Sequence, residues 1–355
     1  SLNLLQSMVW GVFGHLHLTL AHSRQPQALP FTTTSVDFAC LAFCSKTYHE
    51  GAHQDPQAAI RQLMSVRDVF PRSQVKEWCT CALVLLHTRS LHRGQLQRAQ
   101  ELAWHMGSML VPSEDSASYV IAERARADTY LHTNDPVRAV HLLQRLRDAC
   151  HTKKLPLEGL VALLALAVTH QQVGAMGAAL PLVLACVSTA QQLNMDGVLA
   201  SALLALSALH LRRGLPEKAH RLVLSVLPLI LSSGRIEERA QAYLLCAKCL
   251  LERSSCAAVA DSAQSREQLQ QAKQNLDKAI QDYKLVGALQ PLMDATHLQA
   301  LTCHRMGNTA DRDRAAQDFL QAQRSLNASQ WLPVSPMSNL ATCPAAALMD
   351  LACEA

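Results

Sequence analysis

EGLVALLALAVTHQQVG, residues Glu158 to Gly174, places Leu160, Leu163, Leu164, Ala167 and Val168 at helical spacing and stops on a glycine. Forty residues later the form returns in VLASALLALSALHLRRG, Val198 to Gly214. The interval extends in both directions. Ala82, Ala122, Ala162, Ala202 and Ala242 share one place in it. Twelve residues after each comes a turn residue: Gly94, Asn134, Gly174, Gly214 and Ser254. Five after the first four turns stands Ala99, Ala139, Ala179 or Ala219, and three further on Leu102, Leu142, Leu182 or Leu222. A register held over this length is the signature of a repeat solenoid. Such a fold rarely does chemistry. It offers a long surface to other proteins.

Each unit reads as two helices. After Gly174, a residue able to adopt positive φ, the second helix carries Ala179, Leu182, Val183 and Cys186 on one face. The small residue in each helix lets its partner approach, and leucines fill the groove. Ala39 with Gly51, and Ala295 with Gly307, repeat the spacing of twelve and add a unit at either side. The predicted fold is all-α, a right-handed α-solenoid of about seven helix pairs with a period of 40. Unit six holds an insertion, Ser254 to Ser265, rich in Ser and Ala and expected to be a loop, with the second helix resuming near Arg266. Pro71, Pro112 and Pro156 lie close to the ends of second helices.

The expected organisation is an apolar helical segment over 1–30, the repeat array over 31–326 and a loose tail over 327–355. The start is read as a helix cut from a larger protein. The tail is interrupted by Pro333, Pro336 and Pro344 and has no register.

Of the 355 residues 49% are hydrophobic, 17% charged and 4% aromatic. That composition can bury a large core of Leu, Ala and Val, and it suits helices better than sheets. A net charge of +4 makes no case for nucleic acid. The twelve cysteines fall mostly inside apolar helical patterns, which fits a reducing, intracellular compartment better than a disulfide scaffold. No P-loop, dinucleotide fingerprint, nucleophile–base motif or HExxH helix occurs. The expectation is therefore no catalytic residue, no cofactor, no metal, and no nucleic-acid, membrane or small-molecule partner.

Cys246-x-x-Cys249 could form half of a zinc site or a redox pair, but a closed zinc site needs four ligands and no second pair completes it. Cys246 also takes the place of Leu86, Leu166 and Leu206, so it reads as buried core. His170 and His210 stand four residues before Gly174 and Gly214, and Tyr130 holds the same place before Asn134. They are candidates for partner binding, or else helix-end residues interacting with the last carbonyls. Arg93, Arg98, Arg138, Arg145, Arg212, Arg213, Lys218 and Arg221 gather near turns and on second helices. They read as a basic ridge for an acidic partner or as a solvated helix face. Arg93 and Arg213 are the ridge residues singled out for partner contact. Val161 to Val168 and Val198 to Leu209 hold almost no charge, which suggests a permanent partner on an apolar concave face.

A small residue in the first helix, Gly at the turn and Ala early in the second resemble tetratricopeptide repeats, whose usual period is 34. A closer resemblance is carried by Phe70-Pro71, by Gln144-Arg145-Leu146, and above all by the stretch from Gly214 to Leu250. There GLPEKA is followed by Leu227-Pro228-Leu229-Ile230-Leu231 and Ala247-Lys248-Cys249. Similar order continues through Asn275-Leu276 to His304-Arg305-Met306-Gly307. These residues resemble the subunit-five family of the anaphase-promoting complex, over about residues 31 to 326, in its carboxy-terminal repeat array. The resemblance implies a non-catalytic scaffold in a large ubiquitin ligase that drives mitotic exit, bound to other subunits of that ligase, in nucleus and cytoplasm. The alternative is a free adaptor that takes short peptides in its groove.

Overall fold

A computed structural model describes residues 80, 84, 87–88, 90–110, 116–233, 236–256 and 262–330. Ala82, the unit predicted around Ala39 and Gly51, the segment 1–30 and most of the tail lie outside the described residues. The described chain is helical throughout. Its helices are α1 (Leu96–Met109), α2 (Ser116–His132), α3 (Pro136–Thr152), α4 (Pro156–Gln172), α5 (Met176–Gln192), α6 (Asp196–Arg212), α7 (Pro216–Ser233), α8 (Ile236–Cys256), α9 (Ser262–Val286), α10 (Leu289–Arg305) and α11 (Thr309–Gln330).

The period of forty has a simple origin. Helices α2 to α6 are each 17 residues long and are joined by turns of three residues. Every turn closes in the same way. The residue at positive φ donates its N–H to a carbonyl three back, and the next N–H reaches five back. At Gly174 (φ +82) these bonds are Gly174 to Gln171, 3.2 Å, and Ala175 to His170, 2.9 Å. Such a double bond satisfies carbonyls that the helix end leaves open. Asn134 and Gly214 cap their helices alike. A second set of turns, between units, uses Lys154 (φ +55) and Asn194 (φ +52) in the same geometry.

The helix starts are as regular. Pro136, Pro156 and Pro216 each open a helix, where a missing N–H costs nothing. Pro156 therefore begins a unit; it does not close one. Asp135 caps α3 by accepting the N–H of Arg138 at 3.2 Å. Two further prolines, Pro181 and Pro228, sit inside α5 and α7.

The register residues are packing residues. Ala99, Ala139, Ala179 and Ala219 are fully buried, as are Ala122, Ala162, Ala202 and Ala242. At Ala219 the approach is close enough for the Ser207 hydroxyl of α6 to donate to its carbonyl in α7, 2.8 Å.

The chain divides into two compact units, and the cut falls inside α4, between 162 and 163. In the first, α2 packs against α1 and α3, and His87 is hydrogen-bonded to Thr129 through its Nε2 at 2.7 Å. In the second, each helix from α5 to α11 packs on the next. Its core is assembled from successive helix pairs: Ala179, Val183, Ala205 and Leu209 around α5 and α6; Val223, Ile230, Ala242 and Cys246 around α7 and α8; Leu250, Leu276, Ala279 and Ala295 from α8 to α10.

Two expectations about unit six change. Ser254 is not a turn residue: it lies buried within α8, its hydroxyl donating to the Leu251 carbonyl at 2.8 Å. The Ser/Ala-rich insertion is mostly helix, because α8 runs to Cys256 and α9 already begins at Ser262. Ser, Ala and Gln are compatible with helix wherever a neighbour gives them something to pack on. At the far end, α11 continues to Gln330, four residues past the expected boundary at 326.

Candidate functional site

The residues singled out for partner contact lie at the turn edges. Tyr130, His170 and His210 are half-buried on the last turns of α2, α4 and α6. Their backbones close the turns, since their carbonyls accept the N–H of Asp135, Ala175 and Leu215 at 2.8, 2.9 and 3.0 Å. Arg93 is half-buried beside Gly94, and Arg213 is exposed beside Gly214. The structure brings His210 and Arg213 together with Lys218 at one edge. Burial, then the charges of Lys218 and Arg213, hold the His210 imidazole below its usual range. Only the smaller part of that depression, after burial, reflects neighbouring positive charge.

The ridge is not uniform. Arg138 pairs with Asp135 at 3.2 Å, and Arg212 donates to the Gln171 carbonyl one unit away. Arg213, Lys218 and Arg221 are exposed and form no ion pair among the described residues. Arg145 of α3 is likewise exposed, and the other three such cations gather between α6 and the first half of α7.

The predicted apolar face also moves. No residue from Val161 to Val168 is exposed, and α6 buries Ala200, Ala202, Leu204, Ala205, Ser207 and Leu209 between its neighbours. A helix with apolar residues all round is accommodated here by packing on several sides. The large apolar side chains left exposed lie elsewhere. They include Trp104 of α1, Val137 of α3, Leu184 of α5, Leu224 and Leu231 of α7 and Leu285 of α9. The spacing of forty between Leu184 and Leu224 was a signal in the sequence, but apolar residues at helical spacing are ordinarily core.

Cys246 and Cys249 are fully buried, and burial pushes both thiols up to about 12. A nucleophilic or metal-binding thiol needs the opposite shift. Among the described residues no group of three or more His, Cys, Asp or Glu side chains is placed to hold a metal ion. No described helix is long and apolar enough to cross a membrane.

Polar pairs missed in the sequence join distant positions. Arg239 meets the buried Asp282, and His92 Nε2 lies 3.3 Å from Glu237 Oε1. Burial, then the neighbouring Glu238 carboxylate, push Glu237 up to about 7.

Seventeen-residue helices, three-residue turns and alanine crossings define the class, an all-α solenoid of tetratricopeptide-like helix pairs. No protein-family model matches the chain. Among solved structures it is similar to a Rap protein complexed with competence and sporulation factor, at a TM-score of 0.52 and 10% identity, covering 93% of this chain and 98% of that one. The apo form of RapI gives the same score and identity over 82% of this chain and 99% of that one. Both likenesses concern the fold. Among curated proteins the chain is 28% identical over 320 residues to anaphase-promoting complex subunit 5 of Arabidopsis thaliana, 89% of this chain and 34% of the relative. It is 25% identical over 271 residues to the Homo sapiens protein of that name, 76% of this chain and 34% of the relative. The chain is a relative of anaphase-promoting complex subunit 5. It spans about a third of the length of the curated relatives it matches.

Proposed function

We propose that the chain is a non-catalytic scaffold within an anaphase-promoting complex, holding other subunits of that ubiquitin ligase through helix faces and turn edges. Its place of work is then the nucleus and cytoplasm of dividing cells, and its role lies in mitotic progression. The relatives' shared name carries this reading. The chemistry of the chain agrees with it: the Cys246 and Cys249 thiols are buried and protonated, and the Arg239–Asp282 pair joins two helices. The free-adaptor reading needs Lys, Arg and Asn on the inward side of first helices. From Val198 to Leu209, α6 has none.

The test is affinity purification of the tagged chain from dividing cells, with co-purifying proteins read by mass spectrometry. Recovery of the other ligase subunits in near-stoichiometric amounts is expected. Recovery of none of them defeats the scaffold reading. Capture of short peptides alone favours the adaptor.

A further inference from the structure

We infer that the outward faces of α5 and α7 form a docking surface for an amphipathic helix of another subunit, acidic at one end; this rests on the scaffold reading above. Leu184, Leu224 and Leu231 are 49%, 48% and 50% exposed; Leu285 and Leu320 are comparably exposed, but on α9 and α11, outside the regular units. Leu184 and Leu224 occupy the same place in consecutive units, and α6 packs against both helices that carry them. In the preceding second helix that place is Gln144, so the apolar stripe is local to α5 and α7 and is not a by-product of the repeat.

The two faces differ in charge. Helix α5 has no charged residue, and its exposed side near Leu184 includes Pro181. On α7, Arg221, Leu224 and Leu231 follow at intervals of three and seven along one side of the helix, Lys218 stands at the flank of that side, and the exposed Glu217, seven before Leu224, is paired with Arg253 at 3.6 Å. With Glu217 held by Arg253, the unpaired charge at the start of the stripe is basic, and the stripe is apolar beyond. Lys218 and Arg221 form no ion pair among the described residues, and Lys218 lies close enough to His210 to add, after burial, to the lowering of its pKa. Exposed leucines at such intervals suit the ridges of a packed helix. The unpaired cations call for carboxylates at the end of that helix nearest Lys218.

Other occupants fit less well. Leucines half-covered by their own helices sit flush with the surface, whereas an interfacial membrane helix buries its apolar face some 5–10 Å deep. A second copy would bring the same cations to the interface and leave them without partners.

The experiment places a photo-crosslinking p-benzoylphenylalanine at 184 or 224 of the tagged chain, purifies the assembly from dividing cells and sequences the linked peptides. Both positions are expected to link to one segment of one other ligase subunit, apolar at helical spacing and rich in Asp or Glu at the end facing Lys218. Leu184→Glu with Leu224→Glu should lower recovery of that subunit about tenfold or more. Lys218→Glu with Arg221→Glu should lower it roughly threefold or more, most at low salt. Full recovery of the subunits with no link from either position overturns the docking surface and leaves the scaffold reading standing. Links to a basic segment, or to a second copy of this chain, overturn the stated occupant. Sedimentation with phosphatidylserine vesicles that the leucine variants abolish replaces it with a lipid surface. Recovery of no ligase subunit overturns the scaffold reading, and the docking surface with it.

Discussion

Arg239 of α8 sets Nε and Nη2 against the two carboxylate oxygens of Asp282 in α9, at 2.7 and 2.6 Å, although 43 positions separate them. Asp282 is buried, so its charge depends on this fork for compensation. The pair lies where the repeat departs from its regular form, between helices of 21 and 25 residues in place of the usual 17. Asp282→Ala is expected to cost about 1.5–3 kcal/mol, since it leaves a partly covered guanidinium without its partner. Replacing both residues with apolar ones should cost less than the sum of the single changes. Urea unfolding of the four variants measures both statements.

Ala202 stands for the alanine register. It is fully buried in α6, which has helices packed on both sides. Ala202→Leu is expected to overpack the crossing and cost on the order of 1–3 kcal/mol. A thermal melt equal to wild type would show that the register does not mark close helix approach.

The turns provide a paired test of backbone conformation. At Gly214 (φ +72) a Cβ would meet nothing within 4 Å, so any penalty for Gly214→Ala comes from the backbone alone. About 1–3 kcal/mol is expected. Lys154 already bears a side chain at φ +55, and Lys154→Gly should be neutral to stabilising by roughly 1 kcal/mol. Opposite shifts in the melting temperatures of the two variants are the expected outcome.

These turns also mark how far the sequence could be read. Gly94, Asn134, Gly174 and Gly214 are turn formers by residue type and stand out at once. Lys154 adopts the same conformation, but lysine carries no turn signal, so that connection between units was invisible, although Asn194 at the next one is a turn former by type. Ser254 kept the spacing and lost the turn, because α8 continues through it and buries it against the core. Local type and spacing could not report that. The candidate surface divided in the same way. The cations near Gly214 were legible as a cluster. The exposure of Leu184 and Leu224 was not, because which side of an apolar helix is left uncovered is settled by its neighbours.

Cys246 and Cys249 provide a chemical check on the non-catalytic reading. With both thiols pushed up to about 12, almost no thiolate is present at neutral pH. Iodoacetamide at pH 8 is expected to leave both unmodified in the folded chain and to alkylate both in guanidinium. Peptide mapping reads the outcome, and rapid native labelling of either would reopen a redox or metal role.

Glu237 couples stability to pH. Its carboxyl is raised from the ordinary 4.5 to about 7 by burial and by Glu238, which itself accepts a hydrogen bond from the Ser201 hydroxyl at 2.8 Å. A raised carboxyl pKa means that the folded chain holds this proton more tightly than the unfolded chain does. Below about pH 4.5 both states are protonated and Glu237 carries no penalty. Between pH 4.5 and about 7 the unfolded state loses its proton first, so stability falls as pH rises. Above that window the penalty is complete, on the order of 2 kcal/mol after allowance for partial solvent access. Glu237→Gln keeps the shape and removes the titration. It should raise stability at pH 8 by about that amount and change little at pH 4.5. Urea unfolding at both pH values checks the sign. A variant less stable than wild type at pH 8 would mean that the ionised carboxylate, 3.3 Å from His92 Nε2, is held by that partner more strongly than burial opposes it.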